Sequence, residues 1–317
     1  MNFEQPKVRH HRFLSYEIAD FDLYEGQALL FCLTRYIGKI EVLNLKNLRP
    51  IKAFNLHTPS KLSWQYNKIK IHKASGSFCC LQAQKLHEAV VFICNYKTNT
   101  GVAIPYEYSN SSKAIALYDD FLITAGSSSR IRFWDVYKGH LADEINLNIN
   151  SLSISNVTPF QEKQLLVCTE ETTSSLWIVS FRTKKLMRAI PLDGAQQVIS
   201  RPLGNEIACL SNNYRAIRFW KLVEKGSQRF DLEPNCKQLW LNCFGNFLFN
   251  DSDEKKKKLL IYTHPSGIKY QDLSTNMITA DLKVSWRRKF QSNLPLKQCQ
   301  IKDRIMFYDG ANLLVVN

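Results

Sequence analysis

Apolar runs of four to seven residues, broken by small or polar residues, recur along the whole chain, and the 3.6-residue spacing of an amphipathic helix is almost absent. Residues 121–135, FLITAGSSSRIRFWD, set the pattern. Phe121, Leu122 and Ile123 form one run, Gly126 and three serines supply a turn, and Ile131 and Phe133 lead a second run that closes on Trp134-Asp135. Residues 207–221, IACLSNNYRAIRFWK, repeat the phrase, with Ile217-Arg218-Phe219-Trp220 matching Ile131-Arg132-Phe133-Trp134. Weaker copies stand at 28–44, 78–95, 165–180, 247–263 and 305–317, which makes seven phrases. Anchored at the position of Asp135, they fall on Asn44, Asn95, Asp135, Ser180, Lys221, Thr263 and Asn317, with spacings of 51, 40, 45, 41, 42 and 54 residues.

A period of this length leaves room for two further strands per phrase. A fourth strand is expected after each anchor, over 48–56, 102–108, 141–147, 185–192 and 229–233. An inner strand is expected before each phrase, as at 18–24, 113–118 and 196–200. Continuous apolar runs suit middle strands that are covered on both faces. The Trp-Asp closing the third phrase, together with the period, resembles the WD-repeat family, and the resemblance covers the whole chain. It implies an all-β fold, a seven-bladed β-propeller of four-stranded blades forming one domain over 1–317, with residues 12–17 adding the missing outer strand of the last blade and so closing the ring. In the sixth blade the third strand is expected at 259–263, with 268–272 as an alternative, and 274–295 reads as an insertion or long loop. Only one literal Trp-Asp occurs and no Gly-His precedes an inner strand, so the family's Asp-His-Ser-Trp hydrogen-bond network is expected to be largely missing.

Composition then narrows the function classes. The chain has 317 residues, 45% hydrophobic, which is ample for a packed core. No run of 18 uncharged apolar residues occurs, and residues 1–13 are charged where a signal peptide is apolar, so neither membrane insertion nor secretion is expected. Nine cysteines form no CxxC pair and several lie inside apolar runs, among them Cys32, Cys94, Cys168 and Cys209. This reads as a reducing compartment, cytoplasmic or nuclear, with no structural zinc. Motifs for nucleophilic hydrolysis, phosphate cradling, dinucleotide binding and zinc peptidase chemistry are absent, since His87-Glu88 is followed by Ala89-Val90-Val91. The expectation is therefore a protein with no catalytic residues, no metal ligands and no cofactor.

The charge balance points to partners. Lys+Arg number 42 against 28 Asp+Glu, a formal net charge of +14, which leaves nucleic acid, an acidic protein or an anionic membrane surface open as partners. Two segments concentrate it. Lys255, Lys256, Lys257 and Lys258 follow Asp251, Asp253 and Glu254 in the hairpin expected between the second and third strands of the sixth blade. Trp286, Arg287, Arg288 and Lys289, followed by Phe290, set cations between aromatics in the supposed insertion, a mixture suited to a protein partner or to RNA. Trp134, Trp177 and Trp220 read as core, and Arg132 and Arg218 as structural, their stems covering apolar surface. WD-repeat proteins are interaction platforms, so the resemblance implies a scaffold or adaptor. The alternatives are an RNA-associated subunit of a ribonucleoprotein or RNA-modification complex, and the substrate-recognition propeller of a ubiquitin ligase that lacks its own F-box, since 1–17 is too short to hold one.

Overall fold

The apolar runs become the middle strands of four-stranded antiparallel sheets, because only there are both faces covered. The computed structural model describes residues 8–13, 18–24, 27–34, 38–56, 66–83, 89–106, 112–126, 128–149, 153–160, 164–170, 175–191, 197–200, 206–211, 216–225, 230–240, 247–252, 257–264, 267–272, 275, 277–283, 297–301, 304–308 and 312–316. Among them every regular element is a β-strand. After β1 (Val8–Phe13), the first sheet holds β2 (Ile18–Tyr24), β3 (Leu29–Thr34), β4 (Lys39–Asn44) and β5 (Pro50–Asn55). The second holds β6 (Tyr66–His72), β7 (Ser77–Ala83), β8 (Ala89–Asn95) and β9 (Gly101–Tyr106), and the third β10 (Ser112–Tyr118), β11 (Phe121–Gly126), β12 (Arg130–Asp135) and β13 (His140–Asn146). The fourth has β14 (Ile154–Phe160), β15 (Leu165–Glu170), β16 (Ser175–Ser180) and β17 (Lys185–Pro191). The fifth has β18 (Gln197–Ser200), β19 (Glu206–Ser211), β20 (Ala216–Glu224) and β21 (Phe230–Trp240). In the sixth come β22 (Phe247–Ser252), β23 (Lys257–His264), β24 (Gly267–Asp272) and β25 (Ile278–Lys283). A last sheet runs β26 (Lys297–Ile301), β27 (Arg304–Tyr308), β28 (Asn312–Val316) and then β1.

Three expectations need correction. The amino-terminal strand that pairs with β28 is Val8–Phe13, not 12–17, and Arg12 stands opposite Leu313. The third strand of the sixth sheet is Gly267–Asp272, the alternative placement, because Ile268-Lys269-Tyr270-Gln271-Asp272 is the true counterpart of Ile131-Arg132-Phe133-Trp134-Asp135. The stretch 274–295 contains β25, the fourth strand of that sheet, and 284–296 lies outside the described residues. In the fifth sheet the third strand runs past Lys221 to Glu224 and pairs with an eleven-residue β21.

Burial grades from middle to edge. All six residues of β3, β15 and β16 are buried, whereas β13 and β17 are mostly exposed. The core lies between successive sheets. Phe31 and Phe54 of the first sheet pack on Phe78 of the second, the Phe54 and Phe78 rings meeting edge-on at 4.9 Å. Ile123, Phe133 and Ile145 of the third pack with Val157, Leu166 and Trp177 of the fourth. Carboxylates reinforce one such junction: Asp20 Oδ2 accepts the Ile69 N–H at 3.0 Å and Asp22 Oδ2 the Ile71 N–H at 2.7 Å, joining β2 to β6. Burial pushes the Asp22 carboxyl above its ordinary range, and Lys70 opposes the rise. The family's tryptophan network is expected to be largely missing, and the bond found at Trp134 goes to a threonine. Trp134 Nε1–H donates to Thr124 Oγ1 at 2.9 Å, both residues buried. The equivalent of Thr124 in the fifth sheet is Cys209, and among the described residues the Trp220 indole N–H has no partner.

The turn between third and fourth strands, here the outer turn, repeats almost atom for atom. Its first residue caps it: Asn44 Oδ1 accepts Lys46 N–H, Asn95 Oδ1 accepts Lys97 and Thr98 N–H, Asp135 Oδ1 accepts Tyr137 and Lys138 N–H, and Ser180 Oγ accepts Thr183 N–H. Its fifth residue is left-handed: Leu48, Asn99, Gly139 and Lys184 all have φ between 54° and 65°. The N–H of its second residue donates to a carbonyl of the turn between first and second strands: Leu45 to Ala28, Tyr96 to Gly76, Val136 to Asp120 and Phe181 to Gln164, at 2.9 to 3.1 Å.

At Gly139 the left-handed backbone coincides with a neighbour, since an added Cβ falls 2.5 Å from Val102 Cγ2 in the second sheet. Gly139→Ala should cost about 1–2 kcal/mol for the backbone alone and more for the clash. Val102→Ala in the same chain should recover the clash portion, so simple additivity in chemical denaturation would overturn this reading. Deleting residues 1–13 removes β1 and bares the edge of β28. The shortened chain should melt several degrees lower, at about 2–4 °C per kcal/mol lost, and an unchanged melting curve would show that the pairing adds nothing.

Candidate functional site

An outer turn whose second residue is tied inward must present its next residues to solvent, and those residues are cationic. In the first four sheets Lys46, Lys97, Lys138 and Arg182 occupy the third or fourth turn position, and all are exposed. Arg49, Lys184 and Lys185 follow on the same turns, and Lys73 stands on the turn between β6 and β7, also exposed. The capping bonds place them, because the oxygens of Asn44 and Asn95 hold the backbone N–H of Lys46 and Lys97, and Asp135 that of Lys138. Among the described residues acidic groups are fewer at this end. Asp119 and Asp120 are exposed there, Asp120 Oδ1 lying 3.4 Å from His72 Nε2. Lys184 Nζ reaches Asp143 of the third sheet at 2.7 Å, and Lys138 Nζ is 3.9 Å from Asp135. Among the described residues no acidic group lies within ion-pair distance of Lys46, Arg49, Lys97, Arg182 or Lys185.

The two charged segments singled out in the sequence attach differently from expectation. Lys255 and Lys256, and likewise Trp286, Arg287, Arg288 and Lys289, lie outside the described residues. Lys257 and Lys258 open β23 opposite Ser252 and Asp251, so their hairpin joins the first and second strands, not the second and third. That is the end at which β24 finishes on Asp272 and the outer turn begins. The chain leaves β25 at Lys283, opposite Gly267, which is the other end of the sheet. The two basic segments therefore depart from opposite ends of the sixth sheet. The cations of the outer turns escape a search for charge runs, because each turn contributes one or two and the turns are some forty residues apart. The signal that finds them is a Lys or Arg two or three residues after each of the first four anchors.

Arg132 and Arg218 are placed as expected on equivalent strands. Arg132 Nε donates to Glu144 Oε2 at 2.9 Å across the third sheet, and Lys269 stands opposite Asp281 at the same position in the sixth, 4.0 Å away. These pairs are structural and leave the turns as the charged surface. Other chemistry is poorly supplied. Among the described residues no group of His, Cys, Asp or Glu is arranged to hold a metal ion. Burial pushes the Cys168 thiol up to about 12 and raises Cys79 and Cys80 as well, so all three stay protonated and weakly nucleophilic near neutral pH. Among the described residues no helix is long and apolar enough to cross a membrane. No protein-family model matches the chain, and no curated protein matches it.

The backbone N–H groups of Lys138 and Tyr137 hold the Asp135 carboxyl below its ordinary range, the first contributing most. A lowered native value favours the folded state above the unfolded value near 3.8, and that contribution is lost as pH falls through the native value. Asp135→Asn keeps the capping oxygen, as Asn44 and Asn95 do naturally, and removes the proton. The variant should fold with nearly the parental melting temperature at pH 7 and lose less stability than the parent between about pH 4 and pH 2. Parallel acid profiles for the two proteins would contradict the assignment.

Proposed function

We propose that the chain is a seven-bladed propeller of the WD-repeat type, its ring closed by β1, that acts without catalysis as an interaction scaffold or adaptor in a larger cytoplasmic or nuclear complex. Its partners are proteins with acidic surfaces, received on the end that carries the outer turns. The ring reading is supported by the first strands of the sheets, which lie side by side: β2 by β6, β6 by β10, β10 by β14, β14 by β18, β22 by β26, and β26 by β2. The intracellular reading is supported by Cys79, Cys80, Cys94 and Cys168, all free thiols. The repeated placement of exposed cations on rigid, capped turns carries the partner reading. Charge arranged in this way on a fixed frame steers acidic surfaces and selects among them more than it adds raw affinity.

Affinity purification of the full chain followed by mass spectrometry, with and without nuclease, tests this reading. A set of proteins should co-purify, survive nuclease treatment and be lost from the Lys46→Glu/Lys97→Glu/Lys138→Glu chain, which should melt close to the parent because exposed substitutions usually shift stability by about 0.5 kcal/mol or less. A set that vanishes on nuclease treatment overturns the protein-scaffold reading in favour of an RNA-associated role. Retention of the same proteins by the reversed-charge chain overturns the outer turns as the receiving end.

A further inference from the structure

Where the second and third sheets meet, three large apolar side chains stand in solvent: Tyr137 is 60% exposed, Val102 46% and Leu141 45%. Gly139 draws them together. It lies between Tyr137 and Leu141 in sequence and so close to Val102 that it has no room for a Cβ. The seam is braced from below. His72, buried, meets the Tyr137 ring edge-on at 5.5 Å, its Nδ1 lies 2.8 Å from Ser75 Oγ, and its Nε2 faces Asp120. The Tyr137 N–H is itself held by Asp135 at 2.9 Å. Lys97, on the turn leading to Val102, and Lys138, beside Tyr137, are exposed, as are Asp119 and Asp120 on the turn that faces His72.

Resting on the platform reading above, we propose that this seam is a docking site for a short acidic segment of a partner protein carrying one large apolar side chain. The anchor seats on Tyr137, Val102 and Leu141, while carboxylates on either side meet Lys97 and Lys138. Charge complementarity selects this occupant. A second copy of the chain would set its own net +14 against an equal net charge of the same sign. Bases of single-stranded RNA need aromatic faces, and two of the three apolar groups here are aliphatic. An apolar anchor seated on an exposed apolar patch and flanked by charge pairs is the usual division of labour at protein interfaces.

Selection of random short peptides displayed on phage, against the purified full chain, tests the site. The enriched peptides should be rich in Asp and Glu around a single Leu, Phe or Trp. A synthetic copy should bind in fluorescence anisotropy, weaken at least about tenfold when its anchor is changed to Ala, and weaken equally against Tyr137→Ser/Leu141→Ser. Both substituted residues are exposed, and a melting temperature close to the parent separates loss of the site from loss of the fold. Peptides without such an anchor, or equal binding to the substituted chain, overturn the seam. Short uridine RNA that binds the parent more tightly than any selected peptide, and loses that binding to the substituted chain, also overturns it, in favour of nucleic acid at the same place. The platform reading fails separately, through a co-purified set that vanishes on nuclease treatment of the parent chain.

Discussion

The interaction on which the architecture of the first four sheets depends is the hydrogen bond from the second residue of the outer turn to a carbonyl of the turn between first and second strands, seen at Leu45, Tyr96, Val136 and Phe181. An outer turn without it would leave a backbone donor beside apolar neighbours, at a cost of about 1–3 kcal/mol. With it, the third strand ends at a defined height, the turn leans toward the sheet's inner edge, and its second side chain is driven against apolar neighbours. Tyr96 reaches Phe31 and Phe54, and Phe181 stacks on Tyr118 at 4.3 Å. Val136 sits in the cluster that also holds Cys79, Leu81 and Ile93 of the second sheet. One bond thus fixes turn, strand end and the junction with the neighbouring sheet. Because donor and acceptor are backbone, the sequence around it is free to diverge.

That freedom explains what was legible. Strands β3, β7, β11 and β15 announce themselves as apolar runs of three to five residues, because burial on both faces favours apolar side chains and admits polar ones such as Thr34, Ser77, Thr124 and Thr169 at the ends of those runs. The capping residue varies among Asn, Asp and Ser, since all three offer an oxygen to the same N–H groups, and a search for Trp-Asp alone finds one repeat. In the sixth sheet, Lys257-Lys258-Leu259-Leu260-Ile261 was more apolar than Gly267-Ile268-Lys269-Tyr270, and anchoring on hydrophobicity placed the third strand one strand early. The alternation of Ile268, Tyr270 and Asp272 with Lys269 and Gln271 held the better evidence. Asp272 shows the expected outer-turn behaviour, its Oδ1 accepting Thr275 N–H and its own N–H donating to the Met277 carbonyl. At the amino terminus, Val8–Phe13 is rich in His and Arg, a composition that an edge strand tolerates and an apolar pattern cannot find.

The surface was less legible than the fold, because it is assembled across the repeat. Charge runs are local and catch the eye, whereas Lys46, Lys97, Lys138 and Arg182 are adjacent only in the sense that each follows its own capped anchor. The same cap that stabilises the turn sets the direction of the cation. Strand cations take a different role. Arg132 and Lys269, one residue back from the aromatic on the third strand, are paired across the sheet with Glu144 and Asp281, so their charge is spent internally.

The seam at Tyr137 follows from these constraints. Val136, tied to Asp120, points inward and is buried. Tyr137 must then point outward, because its N–H is held by Asp135 and Gly139 closes the turn against Val102. Nothing in the turn requires an aromatic there: Lys46, Lys97 and Arg182 occupy the same place in the other sheets. A polar residue would satisfy every structural demand at position 137 and avoid exposing a ring. The side chain found there is a tyrosine, braced by His72 and bordered by two exposed aliphatic groups, which is the arrangement expected where exposure serves contact with another molecule.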